Sequence, residues 1–231
     1  MQRIMEPVFE IAYLIGIVIL GIVILRGAKG RKQYVLFGAM AIVLGGGDAF
    51  HLVPRMWALI ESGTTALPQY AAALGIGKLV TSITMTVFYV MLYHVWVLRY
   101  GAKLKTPATT AVYGFALARI VLCVLPQNQW TSMDAPLLWG ILRNIPFVLM
   151  GAVIIVLYYR RARKTKDRHF RFMWLAIALS FALYIPVVLF ADSIPMLGML
   201  MIPKTIAYVW IVLMGFAASR DEKGDTISEN A

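Results

Sequence analysis

Residues 34–54 read YVLFGAMAIVLGGGDAFHLVP, a run free of lysine and arginine and long enough for one helix to cross a bilayer. A hydrocarbon core of roughly 30 Å needs about 20 predominantly apolar residues at the α-helical rise. The same run contains Asp48 and His51, and Arg55 follows its terminal proline. An acid, an imidazole and a guanidinium so close together are costly in lipid. Whether lipid is the solvent is decided by the sequence on either side.

Of 231 residues, 61% are hydrophobic and 14% are charged, and mean hydropathy is +0.76. A soluble domain carries about 25% charged residues. Apolar blocks at 7–26, 34–54, 70–98, 107–126, 136–159, 170–191 and 195–217 each reach spanning length. The expected fold is all-α: a polytopic membrane protein of seven transmembrane helices, forming one domain over 1–219 with a short polar tail over 220–231. The first block is not read as a cleaved signal peptide, because Glu10 interrupts its start and its basic residues follow the apolar run. The lone Cys123 excludes an internal disulfide and a multi-cysteine metal site, and is read as a helix-packing residue.

Basic residues set the expected orientation. Arg26, Lys29, Arg31 and Lys32 follow block one, and Arg99, Lys103 and Lys105 follow block three. The connection after block five is RRARKTKDRHFR (160–171), and Arg220 and Lys223 follow block seven. The opposite side has Arg3 and Arg55. The positive-inside rule then places the N-terminus outside and the C-terminus in the cytoplasm, with the plasma membrane as the expected location. The net charge of +11 is read as topogenic, with added affinity for anionic headgroups, and not as nucleic-acid binding.

Four cations remain inside the helices: Lys78, Arg119, Arg143 and Lys204. Each costs about 2.5–3.5 kcal/mol at a helix centre on insertion scales. Counting from the expected helix ends, all four fall at comparable depth in the outer half, with Lys78 roughly 12 Å in. Asp48 and His51 lie on one face of helix 2 at a similar height, and Asn144 adjoins Arg143. Glu10, Arg55 and Asp192 lie nearer the rim. The inner half has mainly Thr and Ser, at 81, 82, 84, 86 and 180, as polar content. Four cations against two acids, Asp48 and Glu10, leave a surplus that an anionic guest would neutralise. The candidate binding residues are therefore Asp48, His51, Lys78, Arg119, Arg143, Asn144 and Lys204, around a pocket open to the outside. Gly45, Gly46 and Gly47 either admit a neighbouring helix closely or let helix 2 unwind into the cavity.

LGIGKLVTS (74–82) and LMIPKTIAY (200–208) align Lys78 with Lys204, which suggests a 3+1+3 parallel repeat. That plan resembles the architecture of the sugar-transporting SWEET proteins and the PQ-loop family, and also that of microbial rhodopsins. The likeness is one of architecture, and no residue role follows from it. Retinal on Lys204 is disfavoured, because helix 3 offers Lys78 where a counter-ion is needed and Leu200 stands one turn before Lys204. A metal at Asp48 and His51 is disfavoured too: His94 and His169 fall at the other end of the helices, so no third histidine is in reach. No cofactor is therefore expected. The preferred function is transport of a small anionic solute or lipid headgroup. The alternatives are a seven-helix receptor that docks a partner on its basic connection, and a membrane-embedded lipid-headgroup hydrolase using Asp48 and His51. The sequence favours a non-enzyme in contact with the lipid bilayer, and homo-oligomers are compatible with it.

Overall fold

The computed structural model describes residues 2–62, 69–132, 135–165, 167–190 and 194–228, with the side chains of 2–4, 62, 195 and 222–228 left aside. Asp192, Lys166 and the side chains of Arg3 and Lys223 thus lie outside the described residues. Seven helices account for nearly all of the rest: α1 (Gln2–Gly27), α2 (Lys32–Ser62), α3 (Ala71–Tyr100), α4 (Pro107–Val124), α5 (Leu137–Lys164), α6 (Met173–Phe190) and α7 (Met201–Ser228). Short 3-10 turns at Pro126–Asn128 and Pro195–Leu200 precede α5 and α7. Each helix contains a stretch long and apolar enough to cross a membrane. The polar segment expected as a tail continues α7 helically as far as Ser228.

The helices pack in chain order, and α1 meets α7 to close the ring. α2 also touches α7, and α3 also touches α5. Neighbours run antiparallel, as the α1–α2 seam shows. Gly21 lies against Gly38, Ala41 and Ile42, while Gly45 lies against Ile17 and Val18. Small residues let the backbones approach, and dispersion contacts replace the hydrophobic drive that lipid does not supply. The glycine triplet therefore packs both ways: Gly45 against α1 and Gly47 against Thr84 of α3, with Gly46 facing open space. α2 stays helical through all three.

α2 also runs through Pro54 for two further turns, beyond the boundary the sequence suggested. A proline inside a helix leaves the carbonyl four residues earlier without its amide partner. Here that carbonyl belongs to Phe50, and α3 presents Gly77 directly against it; a Cβ on Gly77 would collide with the Phe50 oxygen and the His51 Cα. The neighbouring backbone thus closes over the gap, with Cα–H groups facing the freed oxygen.

Thr106 caps α4, its Oγ1 accepting from Thr109 N at 3.3 Å, and Pro107 occupies the first turn where no amide donor is needed. The other end of α4 is closed by the segment that follows it. Asn128 Nδ2 donates to the carbonyls of Leu122 (2.7 Å) and Leu125 (2.9 Å), and Trp130 Nε1 donates to that of Cys123 (2.8 Å). These are carbonyls that a helix C-terminus otherwise leaves orphaned. At the basic end, the α5–α6 connection is pinned to α3. Arg99 donates to both oxygens of Asp167, at 2.5 and 2.9 Å, and Tyr100 donates to the same carboxylate at 3.0 Å.

Candidate functional site

The contacts that set helix register also bring one polar residue from each of several helices to a common level. Tyr13 on α1 donates to Asp48 Oδ2 on α2 at 2.7 Å. Lys204 on α7 is the cation that acts on the Asp48 carboxylate, although no direct ion pair forms between them. The Lys204 ammonium lies 4.6 Å above the Tyr184 ring of α6 and 5.4 Å from the Tyr208 ring. Tyr184 in turn donates its hydroxyl to Asn144 Oδ1 on α5 at 2.9 Å. Asn144 is anchored one turn back, its Nδ2 donating to Gly140 O at 2.8 Å.

Arg119 completes the layer from α4. It is 2% exposed, and its guanidinium lies 3.3 Å from the centroid of Phe147 on α5. Tyr184, Tyr208 and Lys204 are all within its electrostatic reach. Stacking occupies the face of a guanidinium and leaves its in-plane N–H donors free. Cys123, one turn along α4, offers it a thiol contact, but Nε and Nη1 have no hydrogen-bond partner among the described residues. A second polar set lies against the first: Tyr89 on α3 meets Ser180 Oγ on α6 at 3.0 Å, with Tyr208 close to both.

Of the residues expected at a binding site, Asp48, Arg119, Asn144 and Lys204 come together. Asp48 and Lys204 are half-buried, and Asn144 is buried. The other three make their direct contacts elsewhere, although Arg143 stays within electrostatic reach of Tyr184 and Cys123, and His51 within reach of Lys204. Arg143 turns to the far end of α4, donating Nη1 to Asn128 Oδ1 at 2.8 Å and lying 4.2 Å from the Trp130 ring. It braces the α4–α5 corner, where Gly75 of α3 also abuts the Trp130 carbonyl. Lys78 has an exposed side chain and acts electrostatically on His51. His51 places Nδ1 3.3 Å from Leu74 O at the α2–α3 seam. Asp48 and His51 therefore turn to different partners, one to α1 and one to α3.

The rim acid does not join the layer either. Arg55 donates Nε to Glu6 Oε1 at 2.6 Å and lies 3.9 Å from Glu10 Oε1. That leaves Asp48 as the acid that acts on Lys204 among the described residues. The aligned pair Lys78 and Lys204 thus occupy unlike surroundings, one exposed and one among tyrosines.

Tyr13 and Tyr89 are the layer residues that sequence reasoning misses. Both lie within apolar blocks, where a tyrosine reads as a core residue. A hydroxyl three residues after Glu10 and level with Asp48 was the available signal.

An apolar groove of about 250 Å³ opens between α5 and α6 at the same height. Ile145, Val148, Leu149, Ile185 and Val188 line it together with Asn144 and Tyr184, the pair joined by a hydrogen bond.

Seven apolar helices closed in a ring are compatible with one class, the integral multi-pass α-helical membrane protein. Compared with protein-family models, with curated proteins and with solved structures, the chain matches none.

Proposed function

We propose that the protein is a transporter that binds the anionic head of a small amphiphile at Arg119 and Lys204. The observation that carries this reading is Arg119: a guanidinium 2% exposed whose Nε and Nη1 lack hydrogen-bond partners among the described residues. Arginine stays protonated, so burial cannot be relieved by losing the charge. Leaving such donors unmade costs several kcal/mol, on the order of what breaking a buried ion pair costs. An oxyanion between Arg119 and Lys204 supplies acceptors to the first and a counter-charge to both, in the charge-assisted geometry that guanidinium groups favour.

The α5–α6 groove favours an amphiphile over a fully soluble solute. Its walls are aliphatic and end at Asn144 and Tyr184, and the Tyr184 ring carries Lys204. A hydrocarbon tail in the groove places its head at that pair. Asp48 is the proton-accepting partner of the layer, with Tyr13 holding its carboxylate away from Lys204. The basic connections orient the chain with its N-terminus outside and its C-terminus in the cytoplasm, and the plasma membrane is the proposed location.

The test is the melting temperature of the purified chain in detergent with dodecyl phosphate, inorganic phosphate and an uncharged dodecyl glycoside. A ligand that binds only the folded state raises that temperature by mass action. Dodecyl phosphate is expected to stabilise the parent protein and Arg143→Gln alike, and to lose its effect in Arg119→Met and Lys204→Met. An equal shift in all four proteins, or none in the parent, overturns the reading. Uptake of the same probe into proteoliposomes then separates carriage from binding.

A further inference from the structure

At the opposite end of the bundle, a separate cavity of about 260 Å³ lies between α3 and α5, lined by Trp96, Leu157, Arg160, Arg161 and Lys164. Among the described residues its wall has no acid. Arg160, Arg161 and Lys164 occupy the last turns of α5, so their positive charges also face a helix C-terminus, whose carbonyls favour cations. Trp96 is 9% exposed, and its Nε1 finds no acceptor among the described residues. Arg161 lies 5.8 Å from the Trp96 ring and 5.5 Å from that of Tyr100, so its guanidinium is held over two aromatic faces.

We infer that this cavity is a binding site for the phosphate of an anionic phospholipid. The shape supplies an aromatic and aliphatic wall from Trp96 and Leu157, and a mouth of three cations. Helix ends of α3 and α5 coincide there, at the height where headgroups meet a spanning helix. A phosphodiester offers several acceptor oxygens to the two guanidinium forks, while its glycerol and acyl chains leave along the apolar face of α5. The site is independent of the Arg119 layer, which lies several turns away on the other half of the same helices.

Diffuse attraction between a basic loop and an acidic membrane is the competing cause, and Arg163 separates the two. It stands on the same turn and carries the same charge, but it donates Nη1 to the Tyr159 hydroxyl at 2.9 Å outside the cavity. The experiment is native mass spectrometry of the full chain in detergent, titrated with phosphatidylglycerol or phosphatidylcholine, with inorganic phosphate as competitor. Arg161→Gln and Lys164→Gln are each expected to weaken phosphatidylglycerol retention about tenfold, the scale of a lost charge-assisted hydrogen bond. Arg163→Gln is expected to weaken it about twofold or less, and phosphatidylcholine is not retained. A parallel melting curve without lipid confirms that each variant is folded, and Arg161→Lys restores part of the retention if folding of the glutamine variant fails. Equal losses in the Arg163 and Arg161 variants overturn the site in favour of diffuse charge. Full displacement by millimolar inorganic phosphate overturns the lipid as its source.

Discussion

Arg99, half-buried, and Arg119, buried, are both guanidinium groups laid on a phenylalanine ring, and their hydrogen bonding is opposite. Arg99 sits 4.2 Å from the Phe170 centroid and donates two hydrogen bonds to Asp167. Asp167 also accepts from Tyr100 and from the backbone N–H groups of His169 and Phe170. Arg119 sits 3.3 Å from the Phe147 centroid with two nitrogens unpartnered among the described residues. A buried network in which each member is satisfied rigidifies the structure, whereas an unpaired buried polar group is costly. The first arginine holds the α5–α6 connection to α3, and the second is the one we propose receives an anion.

The largest effect should follow from breaking the satisfied network. Arg99→Met leaves the Asp167 carboxylate buried without its main counter-charge, and breaking such a pair costs about 3–5 kcal/mol. Thermal unfolding in detergent is expected to show a large fall in melting temperature. Arg119→Met should move stability the other way, by about 1–4 kcal/mol, because it replaces an unsatisfied charge with a side chain that packs on Phe147. If both variants are destabilised to the same degree, Arg119 is a structural residue and the comparison fails.

Acid provides a gentler version of the first variant. Burial alone would raise the Asp167 carboxyl, but the Arg99 hydrogen bond and charge, the Phe170 N–H and the Tyr100 hydroxyl outweigh it and leave it below the usual carboxylate range. A carboxyl depressed by folding contributes stability above its unfolded value, near 4, that is lost as pH falls through the lower folded value. Melting temperature should therefore drop on acidification below about pH 4. Asp167→Asn starts lower and should lose less over the same interval, with a difference of about 1–2 kcal/mol. Parallel curves for the two proteins would show that the network does not titrate.

Depth was legible in the sequence and direction was not. Seven apolar blocks gave seven helices, because spanning length is set by the bilayer and needs no knowledge of packing. Counting at the helical rise likewise put Asp48, Arg119, Asn144 and Lys204 at one height, where the structure brings them together. What counting cannot give is azimuth. Arg143 and Asn144 are neighbours at nearly the same depth, yet a helix turns about 100° between them. One faces Asn128 at the α4 corner and the other faces Tyr184 on α6. Lys78 differs for the same reason, since its side chain is exposed where that of Lys204 is half-buried. The α2 boundary fails for a different one. Pro54 signals a stop only if nothing covers the carbonyl it frees, and Gly77 on another helix does so.

The smallest expected effect is the sharpest for the layer itself. Tyr13→Phe and Tyr158→Phe make the same deletion at opposite ends of the bundle: Tyr13 donates to Asp48 at 2.7 Å, and Tyr158 donates to Leu92 O at 3.0 Å. Each should lower stability by about 1 kcal/mol, the net worth of one buried hydrogen bond. Their effects on dodecyl phosphate should differ. Without the Tyr13 hydroxyl the Asp48 carboxylate is free to swing onto Lys204, where it competes with the anion for the same ammonium. Affinity is expected to fall about threefold to tenfold in Tyr13→Phe, a scale of roughly 0.7–1.4 kcal/mol, and to stay unchanged in Tyr158→Phe. Equal affinities in the two variants would mean that Asp48 is not held back by Tyr13, and the division of labour between carboxylate and cations within the layer would be lost.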